Sequence, residues 1–169
     1  KLHLLALAVL SVLLSQTQLL HSSVEIGSIS EVRGNAQVLR DKAYGAELKF
    51  NIQQMDDVRT EAGRVAITFS DDSTVKLTEH SKLVIDEYIY DPDPSKSKMA
   101  LKFASGTARF ITGKFNNKSN ISIRTPTADI AIRGTDFTCT VDELGRSLVI
   151  LLPDENGISS GEILVSTAM

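Results

Sequence analysis

The chain has 169 residues, 42% of them hydrophobic, and a formal net charge of -3 with acids and bases interspersed rather than blocked. That is apolar material for one folded domain plus a short extra segment, which excludes a disordered chain. It also excludes the basic footprint of a nucleic-acid binder, and with no Trp and three Tyr the chain has little with which to stack bases.

Residues 1–23 differ in kind from the rest. Lys1 precedes the apolar run Leu2 to Leu14, and a small, polar run follows from Ser15 to Ser23. The apolar core, about thirteen residues, suits a secretory signal and falls short of the roughly twenty that span a bilayer. If Leu19 and Leu20 are added, a membrane anchor becomes the alternative. Cleavage stays open between Ser15-Gln16-Thr17 and Ser22-Ser23. Either reading implies export to the periplasm or cell surface, with membrane contact only through an uncleaved N-terminal segment. Cys139 is the sole cysteine, so no intramolecular disulfide staples the exported form.

From Val24 to Met169 the sequence reads as one β domain of short strands separated by turns, with truncation at its C-terminal end left open. Gly27, Ile29, Val32 and Gly34 open it, and Ala36 to Arg40 reads as a second short strand. Tyr44 to Met55 carries no clear period. Val65, Ile67 and Phe69 share one face, Asp71-Asp72-Ser73 turns the chain, and Val75 and Leu77 resume the alternation, which predicts a hairpin. Leu83 to Tyr90 is a further strand, followed by the polar loop Asp91 to Lys98 and strands at Met99 to Ala104 and Ala108 to Thr112. Ile121 and Ile123 lead to a corner at Thr125, where Pro126 fixes its own φ and pushes its predecessor towards an extended conformation.

Beyond that corner Ala128, Ile130 and Ile132 alternate with Asp129, Ala131 and Arg133, and Gly134 marks a bend. Thr135, Phe137, Cys139 and Val141 then share one face of a second strand, which predicts a packed rather than a reactive thiol. Arg133 projects opposite to Ile130 and Ile132, so its guanidinium is either exposed to a partner's carboxylate or pinned to carbonyls and carboxylates of the chain itself. Strands at Ser147 to Leu152 and Glu162 to Ser166 complete the series.

The segments Val58 to Pro92, Leu101 to Gly113 and Arg124 to Phe137 together resemble the FecR-type domain in order and spacing, over roughly Gly27 to Val141. Gly27 to Gly34 fits the opening of that pattern, Met55 to Thr60 its Gly-Asp step, Asp71 to Ser73 its D-(D/G)-S turn, and Ser81 its serine. The departure is read at Asp56, standing for glycine, since Asp tolerates turn and αL conformations. The resemblance implies a solenoid-like roll, with a β-sandwich as the alternative. It also implies a structural part for Thr125, Pro126, Ala128, Ile130, Arg133, Gly134, Thr135 and Phe137. Founding members of the family relay signals from an outer-membrane receptor to a sigma factor through a cytoplasmic anti-sigma segment; with 23 residues ahead of the module here, the expectation is the module without that sigma-regulating role.

Chemical sites are sparse. The acidic pairs Asp56-Asp57, Asp71-Asp72 and Asp91 with Asp93 read as turn and solubility residues, with calcium as the alternative for the Asp91 to Pro94 loop. His80, between Glu79 and Ser81 on a presumed strand, points away from its neighbours and makes no triad. His3 and His21 lie in the signal, so zinc lacks ligands. The expectation is an exported, non-catalytic module without cofactor, metal or nucleic acid, binding an envelope protein or sensing an unidentified ligand. The alternative is a structural module of a larger adhesin-like surface protein.

Overall fold

The computed structural model describes residues 25–114, 120–134, 136–153, 156–158 and 161–168. The signal segment, Val24 and Thr135 lie outside them. The described residues form twelve strands and a single 3-10 turn at Pro94–Lys96. The protein is all-β.

The strands are β1 (Glu25–Leu39), β2 (Ala43–Gly45), β3 (Asn51–Gln53), β4 (Asp57–Phe69), β5 (Thr74–Leu77), β6 (Lys82–Ile89), β7 (Lys98–Ile111), β8 (Asn120–Arg124), β9 (Ala128–Arg133), β10 (Asp136–Val141), β11 (Ser147–Leu151) and β12 (Glu162–Thr167). All join one sheet, whose longest path runs β12-β9-β8-β7-β5-β4-β1-β2. The predicted hairpin is β4–β5, with Val65 opposite Leu77 and Ile67 opposite Val75.

Two sequence expectations are corrected. The two opening strands are one strand, β1, which stays paired with β4 through register shifts at Ile29/Glu31 and Gly34/Ala36. A bulge adds a residue and bends a strand without ending it, so a glycine inside an alternating run is not a terminus. Likewise the strands placed on either side of Gly106 are one strand, β7. Gly106 sits at φ 93, where its missing Cβ leaves room for Ser81.

These long strands change partners along their length. β7 pairs with β6 and β8 through its first half, and with β5 and β10 through its second. β4 pairs with β6 near its start and with β5 near its end. The sheet therefore folds over on itself, and neighbouring strands stay linked past their ends: the Lys114 amide donates to the Asp71 carbonyl at 2.7 Å and the Asn120 amide to the Ser97 carbonyl at 3.2 Å. Inside lie the alternating residues read from sequence. Ile121, Ile123, Ala128, Ile130, Ile132, Phe137, Cys139 and Val141 are all buried. Phe137 stacks on Phe110 at 5.0 Å, and Phe110 meets Phe103 edge-on at 6.0 Å. Each such ring buried contributes about 1.5–3 kcal/mol.

Candidate functional site

Polar residues of the motif segments hold the sheet together. Thr60, buried on β4, donates its hydroxyl to the Thr78 carbonyl at 2.5 Å and accepts the Ser81 amide at 2.8 Å. The Ser81 hydroxyl in turn donates to the Thr107 carbonyl at 3.2 Å, which ties the β5–β6 turn to β7. The Thr125 hydroxyl accepts the Ala128 amide at 2.9 Å and lies 2.6 Å from the Ser147 hydroxyl, while Thr127 donates to the Gly145 carbonyl at 2.7 Å. The Pro126 corner is thus sewn to the β10–β11 turn.

Of the acidic pairs predicted to serve turns and solubility, Asp56 and Asp71 do stand at turns but are fully buried, which corrects the solubility part of the reading for these two residues. Asp56 receives Arg40 Nε at 2.7 Å and Nη2 at 2.8 Å, together with the Gln53 amide at 2.9 Å. A buried carboxylate needs such pairing. Asp71 accepts the Tyr88 hydroxyl at 2.9 Å and a short hydrogen bond from Ser73. Burial and the neighbouring Asp71 charge push the Tyr88 phenol far above its ordinary range. The departure read at Asp56 also moves by one residue: the left-handed backbone belongs to Met55, at φ 70 with an exposed side chain.

The outer face of β6, β7, β8, β9 and β12 presents a trough of about 400 Å³. Its floor is a cross-strand row of small side chains, Ala100 opposite Ser122 and Ser122 opposite Ala131, ending at Leu164 opposite Ala131 on β12. One wall carries Lys102, Arg124 and Asp129, with Asp86 beside Lys102; the other carries Lys98 with Glu87 beside it, while Arg133 and Glu162 line a separate hollow of about 150 Å³ on the same face. Along a strand the walls stand four residues apart, about 13 Å. Each charge is matched within its wall, Asp86–Lys102 at 2.8 Å, Arg124–Asp129 at 2.8 Å and Glu87–Lys98 at 2.6 Å, and Arg133–Glu162 pair beside the trough at 3.1 Å. The Asp129 carboxylate beside Arg124 raises that guanidinium further above its ordinary value. The face is charged but neutral.

A family model described as FecR protein matches residues 56–153, more than half of the chain. The chain belongs to the FecR family. No curated protein and no solved structure matches it. The FecR match opens at Asp56 and closes just after β11, so it takes in the Thr60–Ser81 and Asp71–Tyr88 links while β1 and β12 lie outside it. Membership is consistent with a signal-sensing or regulatory module.

Within this FecR domain the sequence-predicted residues take up separate posts. Thr125, Ala128, Ile130 and Phe137 are buried, Pro126 is exposed beside Gly145, and Gly134 sits at φ 53 in the bend between β9 and β10. Arg133 is exposed and bonded to the Glu162 carboxylate on the next strand, a contact within the chain itself. Sequence reasoning missed Glu162, 29 residues away. It also missed Arg40 as the partner of Asp56, and no local pattern signals either.

His80 is corrected too. It occupies a turn at φ 56, not a strand, with its side chain exposed, whereas Ser81 is buried. Burial pushes the Cys139 thiol up to about 11. In the loop predicted as polar, Asp91 accepts the Asp93 amide, and Asp93 accepts both the amide and hydroxyl of Ser95. The Asp93 carboxylate caps the 3-10 turn, and Asp91 holds Asp93 in place. Among the described residues, no helix is long and apolar enough to cross a membrane.

Proposed function

We propose that the chain is an exported, non-catalytic sensing module of the cell envelope, and that its trough receives a segment of an envelope protein. The trough is the observation that carries this reading. Its floor of Ala100, Ser122 and Ala131 lets another backbone approach closely, and its walls offer paired charges of both signs for hydrogen bonds at the flanks. The signal-like residues 1–23 support export. The non-catalytic part is supported by Ser81, whose hydroxyl bonds the Thr107 carbonyl, and by Cys139, which is packed in the core, while the His80 side chain is exposed.

A photo-crosslinking residue placed at Ser122, with a control at Lys76 on another exposed face, tests it in cells that make the protein. The expected result is one defined envelope protein captured at position 122 and not at 76, with capture lost on Ala131→Trp, which fills the trough at an exposed strand position. Equal capture at both positions, or capture unaffected by Ala131→Trp, overturns the reading. A structural module of a larger surface protein is the second reading, favoured by Leu148 and Ile150, which stand exposed on the outer face of β11 and suit a neighbouring domain.

A further inference from the structure

β12 is hydrogen-bonded to β9 on one side, and among the described residues no strand takes its other side. Such an edge is a template for another strand, and proteins ordinarily guard it with Lys, Pro, a bulge or a very short length. β12 has none of these. Its six residues read Glu-Ile-Leu-Val-Ser-Thr, its register against β9 is unbroken, and Leu164 and Val165 are 66% and 51% exposed. Glu162, its single charge, is already matched by Arg133.

We propose that two copies of this chain associate through β12, antiparallel and centred on Leu164, so that their sheets become one. The argument for a second copy is self-complementarity. A two-fold axis perpendicular to the sheet keeps outer faces together, so facing residues must share a face and the axis must pass through a residue. Centring on Leu164 sets Leu164 against its own copy, Ile163 against Val165, and Glu162 against Ser166. Apolar meets apolar on both faces, each carboxylate meets a hydroxyl, and the two Glu162 lie at opposite ends of the seam. Centring on Val165 would instead oppose Leu164 to Ser166 and Ile163 to Thr167. The Leu164 register also joins the two troughs end to end, because Leu164 terminates the Ala100-Ser122-Ala131 row. A six-residue strand pair is smaller than an obligate interface, so the association is expected in the micromolar range.

The test uses the full 169-residue chain with Leu164→Cys, oxidised at micromolar concentration, beside Leu148→Cys on the other exposed edge strand. Cys139 is buried and does not compete. The expected result is a disulfide-linked dimer at position 164 several-fold in excess of that at 148. Sedimentation of the otherwise unmodified chain should show a concentration-dependent dimer that Val165→Lys abolishes with its thermal midpoint unchanged. A monomer at every concentration overturns the proposal. So does a dimer insensitive to Val165→Lys, or one trapped better at 148. Crosslinking of position 164 to a different protein overturns the second copy as occupant.

Discussion

At one end of the sheet, β2 and β3 are three residues each, and the chain around them carries Arg40, Asp41, Lys42, Glu47 and Lys49. Arg40 reaches inward to Asp56, accepts a place over the Phe50 ring at 5.6 Å, and donates to the Asn51 carbonyl at 3.0 Å. At the other end of the sheet's longest path stands β12, and β11 closes the branch through β10; both are longer and bear one charge between them, Glu162. They expose Leu148, Ile150, Leu164 and Val165. The first end is blunted by short strands, charges and a clamp, and is finished within the chain. The second presents open hydrogen-bonding edges beside apolar side chains. An edge guarded in this way is closed to a further strand, whereas a bare one can template it.

The clamp is where the contrast is easiest to break. Asp56→Ala would leave Arg40 reaching into a site without its carboxylate, and would orphan the Gln53 amide. A fully buried pair broken in this way costs about 3–5 kcal/mol, and because Arg40 keeps 28% of its side chain in solvent the expected loss is about 2–3 kcal/mol. Chemical denaturation measures it. Adding Arg40→Ala should cost little further, since the two side chains act together. A loss under about 0.5 kcal/mol for Asp56→Ala would mean that the short strands need no clamp, and the two ends would differ in length alone.

How much of this was legible depended on the distance between partners. Period-two alternation reports burial directly, so the inward faces of β4, β5, β8, β9 and β10 could be read from neighbours two residues apart. Strand continuity could not: Gly106 signals a break to a reader of local pattern, yet in the fold it permits one strand to pass close to Ser81. The buried acids were hidden for a different reason. Whether Asp56 or Asp71 dissolves or packs is decided by Arg40, sixteen residues back, and by Tyr88, seventeen residues on. The trough needs still more, since its row of small residues exists only once β7, β8, β9 and β12 are in register.

Gly134 tests the joint between the core and the bare end. At φ 53 a β-branched residue is strained even though open space surrounds the position, so Gly134→Val is expected to cost about 1–2 kcal/mol. Gly134→Asn, which tolerates this conformation, should recover most of it. The thermal midpoints of the two variants decide the matter, and equal midpoints would show that the bend adapts to a side chain.

Arg133 gives the smallest effect and the sharpest separation of main-chain from side-chain support at the bare end. Both members of the Arg133–Glu162 pair are 64% exposed, and pairs of that kind contribute about 0–0.5 kcal/mol. β12 is held more firmly by its six-residue register with β9 and by Ile163, which packs against the core. Arg133→Ala should therefore leave the midpoint nearly unchanged and the β12 amides as protected from hydrogen exchange as before. Added salt should erase what difference there is, because an exposed pair is screened. Loss of protection confined to β12 would mean that the strand hangs on this pair, and an edge so loosely held could not serve as a template for a second copy.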